Sequence, residues 1–173
     1  MKTKLFVAIP LLALVVGLAG CSQSHKRSEA DNVRNALEQA DLKDVHVSDD
    51  ADKNTVTLTG TLHSDDAKQR AADVAKSAAP DRTVANEISV EPVGNESQAK
   101  DVNSNLDDGI ENNYKAALIS KRLNKQSIRY DAKNGVLTLK GSVKTSGQKA
   151  EAERLASNIP NVQQVVNQLE VNR

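Results

Sequence analysis

The sequence predicts an α+β protein built from two tandem small α-β-β-α-β two-layer sandwiches, and three observations support this. The chain of 173 residues repeats itself at a constant offset of 81 residues. Apolar residues recur at helical and strand periods in the same order in both copies. Turn and capping residues separate these segments. A repeat of this length indicates two copies of one structural unit.

The repeat aligns residues 31–90 with residues 112–171 without a gap. The matched positions are mostly apolar, as expected if two copies retain one kind of core. Identical pairs include Ala36 and Ala117, Leu37 and Leu118, Leu42 and Leu123, Leu58 and Leu139, Ala75 and Ala156, and Val84 and Val165.

Each copy opens with a predicted helix followed by a β-hairpin. In the first copy the helix carries apolar residues at i, i+3, i+4 and i+7, and a short strand follows in which Val45 and Val47 alternate with polar residues. In the second copy the loop after the first strand contains Asn134-Gly135, which is a strong hairpin signal. The second strand covers residues 56–62 in one copy and 136–143 in the other.

A second helix and a closing strand complete each copy. Ser64 precedes two aspartates and is a predicted N-cap, while Thr145 and Gln148 fit a capping box. Strands 84–90 and 165–171 follow. Because a strand-helix-strand connection is right-handed, its two strands are parallel, whereas the hairpin is antiparallel. We therefore expect a three-stranded mixed sheet in each copy, covered on one face by two helices.

A glycine interrupts the second strand at the same place in both copies. Gly60 and Gly141 occupy strand interiors, where glycine costs stability and often marks a close approach of the backbone. We interpret both as structural positions rather than as parts of a catalytic loop.

The N-terminus has the features of a secretory signal. Lys2 and Lys4 precede an apolar run, and Leu18-Ala19-Gly20-Cys21 resembles the lipobox of bacterial lipoproteins. In that family the cysteine thiol is acylated, so Cys21 is the predicted lipidation site. Ser22, rather than aspartate, after this cysteine favours export to the outer membrane. The alternative is an ordinary signal peptide with an unpaired cysteine.

These features divide the chain into five segments. Residues 92–108 are polar and lack periodicity, so we expect a linker that is flexible in part. The predicted segments are a signal peptide with lipobox (1–20), a lipidated tether (21–30), the first module (31–91), the linker (92–108) and the second module (109–173).

The motifs of both modules resemble the BON domain. The pattern V-T-L-x-G-x-[VL] with a closing V-x-N-x-[IL]-x-V is carried by residues 56–62 with 84–90, and by residues 137–143 with 165–171. The order signal, lipobox, BON, BON is similar to the dual-BON lipoproteins of the Gram-negative outer membrane, relatives of the periplasmic osmotic-stress BON protein. The resemblance implies a non-enzymatic envelope role, with phospholipid binding and support of outer-membrane integrity.

Composition argues against several other functions. Tyr114 and Tyr130 are the only aromatic residues after residue 20, so stacking platforms for single-stranded nucleic acid are excluded. His25, His46 and His63 do not have the spacing of metal ligands, and no phosphate-binding or nucleophile motif occurs. We therefore predict no enzymatic activity, no cofactor, no metal and no nucleic-acid partner.

The two modules carry opposite charge. Residues 31–90 hold seven Lys and Arg against twelve Asp and Glu, a net charge of −5, whereas residues 110–171 hold ten against five, a net charge of +5. Two consequences are open and compatible. The modules attract each other and dock, or the basic module faces an anionic membrane, where each Lys or Arg contributes about 1 kcal/mol.

The candidate phospholipid-binding residues surround the first helix of the second module. Basic residues beside an apolar edge suit an interfacial contact, while Gly109 leaves little to insert, so electrostatics dominates. The candidates are Lys115, Lys121, Arg122 and Lys125, with Ile110 and Tyr114 as apolar contacts. The predicted partners are the membrane, through the N-terminal lipid, and anionic phospholipid. The alternative function is a periplasmic interaction or chaperone-like module that contacts envelope proteins.

Overall fold

The computed structural model describes residues 29–172 and has the predicted α+β architecture. The first module follows the order α-β-β-α-β, with its last strand in two pieces. Its elements are α1 (Glu29–Gln39), β1 (Val45–Asp50), β2 (Thr55–Leu62), α2 (Asp65–Ala78), β3 (Thr83–Asn86) and β4 (Ser89–Val90). The predicted signal peptide, Cys21 and most of the tether lie outside the described residues.

The second module repeats the same order. Its first helix is much longer than that of the first module, and a 3-10 turn at Leu123–Lys125 follows it. The elements are α3 (Glu96–Ser120), β5 (Ser127–Lys133), β6 (Val136–Val143), α4 (Ser146–Ser157), β7 (Gln164–Asn167) and β8 (Glu170–Val171). Thr145 accepts a hydrogen bond from the backbone N–H of Gln148. The Gln148 side chain accepts one from the backbone N–H of Lys144, one residue before the N-cap, so the arrangement is a variant of the predicted capping box.

Each sheet is mixed, as predicted. β1 pairs with β2 antiparallel, and β3 and β4 both pair with β2 in parallel, so together they form one interrupted third strand. The second module has the same pairing around β6. The interruption places Ile88 in one module and Leu169 in the other, and both are buried in their cores. The third strand thus contributes a core side chain at the point where its pairing with the central strand is interrupted.

Helices cover one face of each sheet and complete its core. In the first module, Val33 and Leu37 of α1 pack with Leu58 of β2, while Ala71 and Ala75 let α2 approach closely. In the second module Tyr114 stands edge-on to Tyr130, with ring centroids 5.1 Å apart, and its hydroxyl donates to the Ala152 carbonyl at 3.2 Å. Burial raises the pKa of Tyr114 far above its usual range, so this hydroxyl stays protonated.

The two strand glycines have backbone conformations that other residues rarely adopt. Their φ angles are 129° at Gly60 and 104° at Gly141. A Cβ on Gly60 would overlap the backbone carbonyl oxygen of Asp44, and one on Gly141 would overlap that of Ser127. Both collisions are with backbone atoms, which cannot rotate away as a side chain can.

The two modules dock through their β3 and β7 edges. Ala85, Val136 and Val166 form a small apolar cluster at the contact. The Gln164 side chain spans the two edges: its amide donates to the Val84 carbonyl at 2.6 Å, and its oxygen accepts from the Asn86 N–H at 3.1 Å. Ala85 and Val166 are equivalent positions of the repeat, so the contact has approximate two-fold symmetry.

The expectation of a partly flexible linker over residues 92–108 is wrong for residues 96–108. They form the first half of α3, a helix of 25 residues. The half-buried stripe of this segment is Ala99, Asn103 and Asp107, which carries no hydrophobic signal. Asn103 donates to the Ser89 hydroxyl at 3.3 Å, and Asp107 accepts from the backbone N–H groups of Asn134 and Gly135 at 2.7 and 3.1 Å.

Candidate functional site

Exposed cations gather at the end of the second module where α3 stops and β5 begins. Arg129 and Lys140 are direct partners in the β5–β6 register, so the sheet adds two cations at this end, on its face away from the helices. We call this surface the basic end. It consists of Lys121, Arg122, Lys125, Arg129, Lys140 and Lys144, all exposed.

The end of the helix fixes the positions of three of these cations. Lys121 is the C-cap of α3, and the backbone N–H of Arg122 donates to the Ile119 carbonyl at 3.0 Å. Arg122 has a φ of 57°, a left-handed conformation that turns the chain sharply. Leu123 is then buried in the core and anchors the 3-10 turn that presents Lys125. Cations at this position are also favoured by the negative end of the helix dipole.

An exposed apolar side chain lies just before the helix-end cations Lys121 and Arg122. Ile119 is 53% exposed, and Lys115 precedes it by one helical turn, so the two share a face of α3. The equivalent residue of the first module is Glu38. Sequence reasoning missed Ile119 because its neighbour Leu118 carries the core stripe of the helix.

The prediction that Ile110 and Tyr114 contact the membrane is wrong. Ile110 is 1% exposed and Tyr114 is 0% exposed, and both belong to the core of the second module. The prediction assumed a free helix start at this point, whereas α3 begins earlier, at Glu96. The spacing i, i+4, i+8 of these two residues with Leu118 is the signal that identifies them as core.

The carboxylate of Glu151 lies near the basic end. Arg154 donates to Glu151 at 2.8 and 2.7 Å, and this hydrogen bonding lowers the Glu151 pKa, with a smaller contribution from Lys121. Arg154 thus neutralises the nearby acid. Lys140 lies near Glu87 of the first module, whereas Lys121, Arg122 and Lys125 are exposed at the end of the helix.

The first module has the same backbone at the corresponding end but the opposite charge. Asp41 occupies the position of Arg122 and has a nearly identical φ of 60°. Asp44 occupies the position of Lys125. One scaffold therefore presents acids in one copy and bases in the other, which concentrates any affinity for anions in the second module.

A groove between the modules is a different kind of surface. It has a volume of about 660 Å³ and runs along α2 to Gln163 and Gln164. Three acids and three bases line it: Asp65, Asp66, Asp73, Lys68, Lys76 and Arg82. Because these charges balance, the groove does not favour an anionic surface.

Two of the three candidate histidines lie in the described part of the chain. His46 is an exposed residue of β1, and His63 makes a hydrogen bond through Nδ1 with the Glu91 carbonyl at 2.8 Å. Within residues 29–172 no group of three or more His, Cys, Asp or Glu is arranged to hold a metal ion. His25 lies outside this range. None of the helices in the described part of the chain is long and apolar enough to cross a membrane.

The duplicated fold and the two strand glycines define a class of protein. The family model for the BON domain matches residues 29–92 and 106–173, and the chain therefore belongs to the BON-domain family as a tandem BON protein. BON domains are associated with phospholipid binding and with envelope and osmotic-stress proteins, and the family is generally non-enzymatic. No curated protein sequence matches the chain.

Proposed function

We propose that this protein is a lipid-anchored envelope protein that binds anionic phospholipid through the basic end of its second module and supports outer-membrane integrity. The observation that carries the proposal is the cluster of exposed cations that follows Ile119 at the end of α3. It stands on a scaffold whose other copy places acids at equivalent positions, such as Asp41 for Arg122. The family's association with phospholipid supports the same conclusion.

Electrostatics supplies most of the proposed affinity. Each Lys or Arg close to anionic headgroups contributes about 1 kcal/mol, so the cations of the basic end together contribute several kcal/mol. Ile119 is already half-buried, so inserting it adds roughly 1 kcal/mol, less than full burial of an isoleucine. Binding of this kind is reversible and falls as salt rises, because exposed charges are screened beyond about 8 Å at physiological ionic strength.

Stable attachment requires a second element, which we assign to an acyl chain on Cys21. One weak surface contact gives only marginal binding, whereas an acyl chain together with a basic patch gives stable anchoring. Cys21→Ser should leave an unacylated precursor that does not fractionate with the outer membrane. A variant that still incorporates labelled palmitate and fractionates with that membrane would refute the anchor.

The binding site is tested by charge reversal in the unacylated chain. Changing Lys121, Arg122 and Lys125 to Glu should abolish co-sedimentation with phosphatidylglycerol vesicles at low salt, because attraction becomes repulsion. The matched control changes Lys43, Arg70 and Lys76 of the first module to Glu, since these residues are also exposed and the net charge changes equally. Equal loss in both variants would show that net charge, rather than this site, governs binding.

The apolar contribution is tested on one helix. Ile119→Ser should weaken vesicle binding by a few fold, less than charge reversal does. Val102→Ser is the control, since Val102 is 54% exposed on the same helix but lies far from the basic end. If the two variants bind equally, Ile119 does not insert.

Another exposed apolar pair favours a second function. Val102 and Leu106 are 54% and 41% exposed and lie one turn apart on α3, which suits a contact with an envelope protein. Equal binding of the native chain to neutral and anionic vesicles would favour this protein-interaction or chaperone-like function over phospholipid binding.

A further inference from the structure

The two docked modules run in opposite directions. Asn134, in the hairpin turn of the second module, donates to the carbonyl of Glu87 at 2.9 Å, and Lys68 donates to the Asn134 carbonyl at 3.0 Å. At the other end of the contact, Lys53 of the first hairpin turn pairs with Glu170 of β8. Each hairpin turn therefore lies beside the closing strand of the other module.

The start of α1 lies at the hairpin end of the first module. Glu29 pairs with Arg82 at 3.4 Å, and Arg82 also pairs with Asp49 at the end of β1. The backbone N–H of Thr83, next to Arg82, donates to the carbonyl of Asn54 at 2.9 Å. The point at which residues 1–28 join the described chain is thus close to the turn that contains Lys53.

The basic end of the second module lies on the same side. Glu170, the partner of Lys53, is paired in register with Ser142 of β6, and Ser142 is paired with Ser127 at the start of β5. Lys125 and Lys144 each lie two residues from one of these serines. The start of α1 and the basic end therefore share one end of the molecule.

We infer that the contact between the modules is a positioning element, which turns the basic end toward the same bilayer surface that holds the N-terminus. This inference rests on the proposed function. With both attachments on one surface, the anchor raises the effective concentration of the basic end at the headgroups, so weak binding becomes stable. The opposite docking direction would aim the basic end away from that surface.

The polar contacts of the interface suit this role because they fix direction. Gln164 bridges to β3, and Gln168 donates to the Thr55 hydroxyl at 3.0 Å. Thr55 is 2% exposed, so this bond is shielded from water. Hydrogen bonds at defined places along both edges select one register, which the small apolar cluster alone would not do.

The first module resists contact at the shared end. Asp50 ends β1 and Asp52 lies in the hairpin turn. Asp81 lies beside the turn, where its carbonyl accepts from the Asn54 side chain at 2.8 Å. An anionic bilayer repels these acids and attracts the basic end of the neighbouring module. The repulsion tilts the molecule so that the second module approaches the surface.

Energy transfer from a fluorophore to labelled lipid tests the orientation. The chain from residue 21 carries Cys21→Ser and an N-terminal hexahistidine extension, which attaches it to nickel-chelating lipid in phosphatidylglycerol vesicles. The donor is placed at Asn124→Cys beside the basic end, or at Asp66→Cys at the opposite end of the molecule, since both positions are exposed. Transfer should be several-fold greater from position 124.

Interface variants test the positioning role. Gln164→Ala with Gln168→Ala removes the three hydrogen bonds that these two side chains make across the contact without changing either core, and Val136→Asp disrupts the apolar cluster. Both variants should reduce the difference in energy transfer between positions 124 and 66. Binding of the untethered chain to anionic vesicles should stay intact. If Val136→Asp fails to fold, the glutamine variant carries the test. An unchanged difference would overturn the positioning role.

Two further results separate this inference from the proposed function. Equal transfer from both labels, or clustering of the tethered vesicles with added anionic vesicles, would show that the basic end does not face its own bilayer. Those results would overturn the inference while untethered binding still held. Loss of untethered binding would instead contradict the proposed function.

Discussion

At two glycines, a backbone carbonyl oxygen lies where the Cβ of any other residue would be, so only glycine fits without strain. Gly60 and Gly141 combine a positive φ with a carbonyl oxygen where a Cβ would lie. Their recurrence at one place in both copies could be read from the sequence. The cause could not be read from it, because it depends on how closely Asp44, just before β1, and Ser127, the first residue of β5, pass the next strand.

Substitution of either glycine should destabilise its module. Gly60→Val and Gly141→Val should each lower the free energy of unfolding by about 1–3 kcal/mol, because the side chain overlaps fixed backbone atoms. Gly109→Ala is the control, since Gly109 lies in α3 and a Cβ added there would meet no atom within 4 Å, and it should stabilise by about 0.5–1 kcal/mol. Thermal unfolding that is unchanged in both valine variants would contradict the close contact.

The misassigned residues of the candidate site have a similar explanation. Lys115, Lys121, Arg122 and Lys125 are exposed, as charged side chains usually are in any fold, and they stay a prediction. Ile110 and Tyr114 were misread because exposure depends on where α3 begins. Arg129 and Lys140 join the basic end only through the strand register.

At the scale of elements, the helices and strands with apolar stripes could be predicted and α3 could not. Its first half places Ala99, Asn103 and Asp107 inward and leaves Val102 and Leu106 exposed. This pattern is the reverse of an amphipathic helix, so periodicity reports no helix there. Hydrogen bonds from side chains on that half replace apolar burial as the source of order.

Asp107 is the residue that ties this half of α3 to the second module. Asp107→Ala should lower the free energy of unfolding by about 1–3 kcal/mol, because two backbone N–H groups at the hairpin turn lose a charged acceptor. Asp108→Ala is the control, since it makes the same change of helix propensity at an exposed position. Equal unfolding free energies for the two variants would show that the turn does not depend on Asp107.

At the scale of the whole molecule, the contact between modules was one of two open consequences of the charge split. The contact is not a simple meeting of an acidic and a basic surface. Lys133 of the basic module pairs with Glu87 of the acidic module at 3.7 Å, as the net charges predict. Lys53 of the acidic module pairs with Glu170 of the basic module, which is the reverse arrangement. The register is set by side-chain hydrogen bonds, which net charge does not predict.

The interface should make stability depend on pH through Glu87. Burial raises the Glu87 pKa, and Lys133 only partly opposes it. Since the folded state then binds the proton more tightly than the unfolded chain, this group's contribution to stability falls as pH rises through the raised pKa. Glu87→Gln removes this pH-dependent loss of stability. It also introduces the residue that the second module has at the equivalent position, Gln168.

Urea unfolding at several pH values measures this effect. The stability of Glu87→Gln relative to the native chain should increase between about pH 4 and pH 7, over the range in which the native carboxyl ionises. Glu38→Gln makes the same change of charge at an exposed position and is the control. A difference in unfolding free energy that is constant with pH would mean that burial does not raise the Glu87 pKa.

The most direct test of the membrane site is NMR chemical-shift mapping of the unacylated chain with bicelles. Anionic bicelles should perturb backbone amides around Lys115, Ile119, Lys121, Arg122, Lys125 and Lys144, and zwitterionic bicelles should leave them unchanged. Amides of the corresponding end of the first module, around Asp41 and Asp44, should not move. Equal perturbation by both kinds of bicelle, or perturbation confined to the first module, would contradict binding through the basic end.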